Sequence, residues 1–255
     1  MTAAVAPHVP PGHYRFPQVA RMEWIKLRSL RSTWWTLAVT GAAAIGIGVA
    51  VGLGTRSASG DLTNNALAGI APGLLFAGVL GVLTMTGEYS SGMIRATLAA
   101  TPDRRLLLAA KAAVFGAVTL VVGQATAFLA FLAGGAALRP GIPAPALSQP
   151  GVLRAVVLSG TGFALIGLLG LGLGAMVRHT PAAIAVLVGG VYVVAQFIGA
   201  ITPSLMAYVP ISIVANSLAA TKEPMLSPWA GVGMLSLYAA AVLGIGGWLL
   251  TRRDA

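Results

Sequence analysis

Few residues in this 255-residue chain could do chemistry. The chain has 16 Lys and Arg, six Asp and Glu, three His and no Cys. The lack of Cys excludes disulfides, thiolate nucleophiles and cysteine-based metal sites. His8 and His13 lie in a Pro- and Ala-rich N-terminal stretch, and His179 stands alone beside Arg178. The sequence therefore predicts no metal site.

Motifs for nucleotide binding and hydrolysis are also missing. A P-loop needs Lys directly after Gly, whereas Lys26, Lys111 and Lys222 follow Ile, Ala and Thr. No Gly-x-Ser-x-Gly motif occurs. We therefore predict that the chain is not an enzyme, has no catalytic residue and holds no cofactor, so that its energy must come from a partner or a gradient.

Composition indicates a membrane protein. Hydrophobic residues make up 57% of the chain and charged residues only 9%, and the mean hydropathy is +0.86, which is too apolar for a water-soluble domain of this size. The net charge of +10 raises the question of nucleic acid. However, the basic residues flank apolar runs and form no single face, so no nucleic-acid partner is expected.

Six apolar segments are each near the ~20 residues that a membrane crossing requires. They predict an all-α polytopic fold with spans at about 34–54, 66–86, 106–137, 155–177, 181–201 and 229–250. The third segment is long, so its first turns, with Lys111, are expected to project into the cytoplasm.

Basic residues predict the orientation, because they concentrate in cytoplasmic connections. Four lie on one side, namely Arg56, Arg139, Arg154 and Lys222. Twelve lie on the other, namely Arg15, Arg21, Lys26, Arg28, Arg31, Arg95, Arg104, Arg105, Lys111, Arg178, Arg252 and Arg253. Both termini are therefore expected in the cytoplasm.

The remaining segments complete the predicted organisation. Residues 1–16 are expected to form a mobile cytoplasmic tail without a cleavable signal peptide, and 17–255 a single transmembrane domain. Residues 17–33 predict an interfacial helix whose apolar side faces the membrane, with Glu23 and Lys26 paired beside it.

Residues 138–154 predict an irregular outer loop. Residues 202–228 are too apolar for a solvated loop, and they predict one or two short helices that dip back into the outer leaflet, broken at Pro210.

The stretch 87–111 interrupts the apolar sequence with six charges. Thr101 and Pro102 suit the start of a helix, as N-cap and first helical residue. Before them, residues 90–100 predict a short helix with Ile94 and Leu98 on one side. This helix could contact a soluble partner, or it could be a solvated connector with no further role.

Three segments carry a resemblance to a known family. EWIKLRSLRSTWWTL (23–37), TGEYSSGMIRATLAATPDRRLLLAAK (86–111) and the closing RRDA (252–255) resemble the membrane subunits of ABC-2 type ABC transporters, especially the small single-permease forms of actinobacteria. The order of segments along the whole chain is similar as well. Met93 departs from the family, which often has Thr there.

The resemblance implies the permease of an exporter in the bacterial plasma membrane. Two copies, or this chain and a related permease, would form the pathway, and separate cytoplasmic ATPase subunits would bind ATP and magnesium. The elbow helix would be 17–33, with Glu23, Trp24, Lys26, Arg28 and Arg31. The coupling helix would be roughly 90–101, and the residues expected to couple to the ATPase are Glu88, Ser91, Ile94, Arg95 and Leu98.

The substrate and two polar residues leave alternatives open. A path of apolar residues without fixed charge favours an amphiphilic or hydrophobic substrate. Gln124 and Gln196 are candidates for lining that path, although a hydrogen bond between helices is the commoner use of such residues.

Glu88 is predicted to tether the coupling helix to the elbow helix or to a neighbouring subunit; the alternative is a solvated charge at a helix end. A structural or sensory membrane protein with the same fold is the alternative to a transporter.

Overall fold

The chain folds into a bundle of helices, as seen in a computed structural model that describes residues 14–58, 60–220 and 226–252. Most of the predicted tail (1–16) and the last three residues lie outside the described residues. The helices are α1 (Phe16–Ser29), α2 (Arg31–Gly54), α3 (Leu62–Ala66), α4 (Ile70–Ser90), α5 (Met93–Ala100), α6 (Arg104–Ala136), α7 (Val152–Val177), α8 (Thr180–Val188), α9 (Val194–Ile201), α10 (Pro210–Ser217) and α11 (Pro228–Arg252).

Five of the helices in the described ranges, α2, α4, α6, α7 and α11, are long and apolar enough to cross a membrane. They have 21 to 33 residues, and the mean hydropathy of their most suitable windows lies between 1.7 and 2.1. No strand occurs in the described residues. The protein is thus an all-helical, multi-pass membrane protein, as the apolar segments predicted.

The predicted span 181–201 is the exception among the six. It forms α8, a π-helical turn at Gly189–Val193, and α9. The π turn locally widens a helical stretch that continues from 180 to 201. Taken separately, α8 and α9 have nine and eight residues, fewer than the ~20 that a membrane crossing requires. A sixth crossing by this segment remains a prediction.

The start of α6 differs from the prediction. Its N-cap is Asp103, whose carboxylate accepts hydrogen bonds from the backbone N–H groups of Arg105 and Leu106, both at 3.0 Å. Thr101 instead ends α5. The carboxylate of Asp103 caps the helix well and suits the positive end of its dipole. The prediction of Thr101 as N-cap and Pro102 as first helical residue was therefore wrong.

Helix α7 lies at the centre of the bundle and packs against α4, α6 and α11. Its contact with α4 is made backbone to backbone through glycines. A Cβ on Gly81 would overlap the carbonyl oxygen of Gly167, and a Cβ on Gly170 would overlap that of Gly78. Only Gly permits so close an approach, which fixes α4 firmly against α7.

The segment before α11 forms two short helices, as predicted. A 3-10 helix (Pro203–Tyr208) precedes α10, and the break falls before Pro210. Ile213, Val214 and Leu218 are buried in the same apolar core as α4 and α7. The segment is therefore part of the bundle, and its depth in a membrane stays a prediction.

Candidate functional site

One end of the bundle, here called the basic end, consists of α1, α5, the first turns of α6 and the last turns of α4, α7 and α11. Side chains join these elements directly. Lys26 of α1 contacts Glu88 of α4, and Arg104 of α6 donates to the carbonyl of Leu250 at 2.7 Å. Arg178, after α7, donates to the carbonyl of Leu249 at 3.2 Å. The antiparallel helices thus bring together the basic residues that the sequence placed on one side.

Two lysines and two glutamates form an ionic cluster at the basic end. The Lys111 ammonium lies 2.5 Å from Glu23 Oε2 and 2.7 Å from Glu88 Oε1. The Lys26 ammonium lies 3.0 Å from Glu23 Oε1 and 3.1 Å from the same Glu88 oxygen. The cluster therefore links α1, α4 and α6, three elements that are far apart in sequence.

The cluster is buried within the chain. Glu23 and Glu88 are each 4% exposed and Lys111 is 3% exposed, while the Lys26 side chain keeps 23% of its surface. Burying a charge is costly unless a counter-charge accompanies it, and here two positive and two negative charges balance. The second oxygen of Glu88 is buried and makes no hydrogen bond with the described residues.

Helix α5 is joined to the cluster by a hydrogen bond and by apolar packing. Lys26 Nζ donates to Thr97 Oγ1 at 3.0 Å. Leu98 packs against a small core that includes Val19 of α1 and Leu107 of α6. Since Thr97 and Ile94 are 4% and 3% exposed, α5 turns this side towards the chain.

This arrangement corrects two predictions about coupling residues. Ile94 was expected to be an apolar anchor for an ATPase, but it is buried by its own chain, and Leu98 is half-buried against α1 and α6. The side of α5 that remains exposed carries Met93 and Arg95, with Ser91 just before the helix. Two apolar residues four apart define one side of a helix; on this side Leu98 packs against α1 and α6, and Ile94 is buried within the chain.

The ammonium group of Lys111 is held between two carboxylates of its own chain, and the projection of the first turns of α6 into the cytoplasm stays a prediction. One further prediction at the basic end was wrong. Arg31 was assigned to the elbow helix, but that helix ends at Ser29 and Arg31 is the first residue of α2. Trp24 and Arg28 do lie on α1, and both are exposed.

The ionic cluster shows which residues Glu88 contacts, and it contains the predicted pair of Glu23 and Lys26. Glu23 and Lys26 pair as predicted from their spacing. Glu88 is not solvated within the chain; it contacts Lys26 of α1, the helix predicted to be the elbow helix. Lys111 was not predicted to belong to this cluster. Its isolated charge in the apolar sequence of α6 was a usable signal, because such residues pair inside membrane proteins.

Of the two glutamines that were candidates for lining a path, the structure describes the side chain of Gln124. Gln124 Nε2 donates to the carbonyl of Val157 at 2.9 Å and to Thr161 Oγ1 at 3.2 Å, both on α7. This is the hydrogen bond between helices that was the alternative to a path-lining role. Gln196 lies on α9, but its side chain is outside the described part of the chain.

A cavity of about 370 Å³ lies beside the ionic cluster. Its walls are mostly apolar, with Leu27, Leu83 and Phe115 among the lining residues, and Glu88 and Lys111 at its polar side. In the described ranges no group of three His, Asp or Glu side chains could hold a metal ion. The arrangement is suited to fixing helices to one another.

Comparison of the sequence with protein-family models and with curated proteins finds no match.

Proposed function

We propose that this chain is the permease subunit of an ATP-driven ABC exporter in a bacterial plasma membrane, with both termini in the cytoplasm. The observation that carries the proposal is the ionic cluster. It joins an amphipathic helix before the first span (α1), a short helix between two spans (α5) and the ends of α4 and α6. A protein whose spans must respond to a soluble motor needs such a joint between helices at its cytoplasmic end.

The exposed side of α5 is the proposed contact for the ATPase. Arg95 and Met93 point away from the bundle, and Met93 is 43% exposed. Arg95 would meet an acidic rim of the ATPase, and Met93 would adapt its flexible side chain to an apolar groove. Ser91 borders the same surface.

Movement of α5 would reach the spans along a defined set of contacts. Ile94 and Leu98 pack α5 against its own chain, and Lys26 joins Thr97 to Glu88. Glu88 lies at the end of α4, which the glycine contacts fix to α7. A push on α5 would therefore shift α1, α4, α6 and α7 together, because direct contacts link each of these elements to the next.

ATP binding and hydrolysis belong to the partner in this proposal, as does the magnesium ion. Two copies of this chain, or one copy and a related permease, would enclose the pathway. The five long helices carry few charged side chains away from their ends, which supports an amphiphilic or hydrophobic substrate moving outward.

Affinity purification of the full chain from its native host in mild detergent tests the proposal. We expect an ATPase subunit with a P-loop to purify with it, and the purified chain alone to hydrolyse no ATP. ATP hydrolysis by the isolated chain would contradict the proposal. Repeated purification without any ATPase would favour a structural or sensory membrane subunit.

A further inference from the structure

A groove between α6 and α11 opens at the basic end. Its volume is about 370 Å³, and its walls are Arg105, Leu108, Ala109 and Ala112 on α6 and Leu243, Gly244, Gly247 and Trp248 on α11. The groove lies between two helices that are long and apolar enough to cross a membrane, so its apolar part faces lipid. We propose that it binds one anionic phospholipid.

The residues along the α11 wall follow the order of groups in a phospholipid, from the acyl chain to the phosphate. On α11, Gly244, Trp248 and Arg252 are four residues apart and therefore share one side of the helix. A small residue lies deepest, an aromatic residue follows, and an arginine ends the series. Eight residues of helix span about 12 Å, which accommodates the upper part of an acyl chain below its head group.

Two arginines at the mouth match a phosphate. Arg105 is exposed and forms no ion pair with any described carboxylate. The Arg252 guanidinium lies over the Trp248 ring, 4.6 Å from its centroid, which holds it beside the groove. The nearby carboxylate of Asp103 is already used as the N-cap of α6. Basic pockets between membrane helices on the cytoplasmic side favour anionic head groups for this reason.

The small residues keep the groove open for a lipid chain. Gly244 is exposed, and a Cβ there would meet no heavy atom within 4 Å. On the neighbouring side of α11, Gly246 packs tightly against α7, where a Cβ would lie 3.0 Å from the carbonyl oxygen of Gly172. Helix α11 is thus held by α7 while its side towards α6 stays accessible. This inference does not depend on the proposed transport function.

Native mass spectrometry of the full chain tests the inference, with added phosphatidylglycerol and with phosphatidylcholine as the neutral lipid. We expect the wild type to retain one phosphatidylglycerol and to prefer it over phosphatidylcholine. Arg105→Gln and Arg252→Gln should each weaken phosphatidylglycerol binding by about fivefold, the factor expected for one basic residue near an anionic lipid surface. Arg21→Gln, an exposed arginine of α1 at the same end, should bind like the wild type.

A second pair of variants tests the groove itself. Gly244→Leu should fill it and remove binding of both lipids, whereas Gly233→Leu, an equally unobstructed position on α11 outside the groove, should not. If Gly244→Leu does not fold, Ala109→Leu fills the groove from the exposed side of α6. Wild-type binding by the arginine and groove variants, or equal binding of the two lipids by the wild type, would overturn the inference.

Discussion

Helix α4 is held in two different ways along its length. In its middle, Gly78 and Gly81 lie directly on the backbone of α7, and no polar side chain takes part. Two turns further on, Glu88 shares one carboxylate oxygen between two lysines from two other helices. The first contact depends on the absence of side chains, and the second depends on charges at the ends of long, flexible side chains.

The difference shows what each contact can do. The glycine contact has one geometry, since any added atom forces the helices apart. The ionic cluster specifies its partners through charge balance, and its members have alternative partners within reach. A rigid contact in the middle of α4 and a polar joint at its end suit a helix that transmits movement from the basic end to the centre of the bundle.

The largest effect is expected where α4 meets α7. Gly81→Ala places a methyl group into the Gly167 carbonyl, and its cost should exceed the ~1–3 kcal/mol of ordinary overpacking because the backbone cannot move aside. We expect little monodisperse protein by size-exclusion chromatography in detergent. Gly87→Ala, the same change on the same helix where a Cβ meets nothing within 4 Å, should be neutral or slightly stabilising. Equal yields of the two variants would show that the glycine contact is not rigid.

The next largest effect is expected in the ionic cluster. Lys111→Met leaves two buried carboxylates with one lysine, and breaking a buried pair costs about 3–5 kcal/mol. We expect a clear fall in melting temperature. Adding Glu23→Gln restores charge balance, so the double variant should recover much of the loss. A double variant less stable than Lys111→Met would mean that shape, and not charge, governs this joint.

A smaller, local effect is expected at the side of α5 that faces the bundle. Ile94→Ala removes about 2–5 kcal/mol of buried contact, which should loosen α5 without unfolding the spans. Trypsin cleavage after Arg95 should become about tenfold faster or more, since cleavage follows local opening. Met93→Ala, on the exposed side of the same helix, should leave the cleavage rate unchanged. Equal rates for both variants would contradict the inward packing of Ile94.

The smallest effect is expected from one hydrogen bond. Thr97→Val removes the acceptor for Lys26, which keeps both of its carboxylate partners, so the loss should not exceed about 1.5 kcal/mol. The same trypsin assay should report a modest increase in cleavage. Thr119→Val, whose hydroxyl bonds only carbonyls of its own helix, provides the control. If Thr97→Val increased the cleavage rate as much as Ile94→Ala, the hydrogen bond from Lys26, and not the packing of Ile94, would hold α5 in place.

The sequence was sufficient to predict the five long helices, α5 and the short helices before α11, whereas α3 was not predicted. Apolar runs and breaks at Pro and Gly determine these features locally, which is why α10 begins at Pro210 as expected. The π turn between α8 and α9 was not predicted, because an apolar run indicates a helix without specifying a local change in its hydrogen bonding. The N-cap of α6 was misplaced by two residues, since both Thr101 and Asp103 are suitable capping residues.

The site was predictable only where its residues are close in sequence. The pair Glu23–Lys26 follows from helical spacing, whereas Lys111 reaches Glu88 and Glu23 through the register of three packed helices. The two apolar residues of α5 identified one side of that helix correctly. Whether that side faced inward or outward depended on how α5 packs against the rest of the chain, which the spacing within α5 does not reveal.

The proposal that α5 is a docking helix is tested most directly by ATPase co-purification from the native host. Arg95 is exposed at the basic end, and Arg139 is exposed at the opposite end of the bundle, where it bonds the carbonyl of Leu53 at 3.2 Å. We expect Arg95→Glu to lower the amount of bound ATPase by at least about tenfold, as a repulsive charge in an interface costs several kcal/mol and about 1.4 kcal/mol already corresponds to tenfold, with no change in expression. Arg139→Glu should retain the ATPase at the wild-type level. A complex that survives Arg95→Glu and is lost with Arg139→Glu would contradict both the docking surface and the orientation.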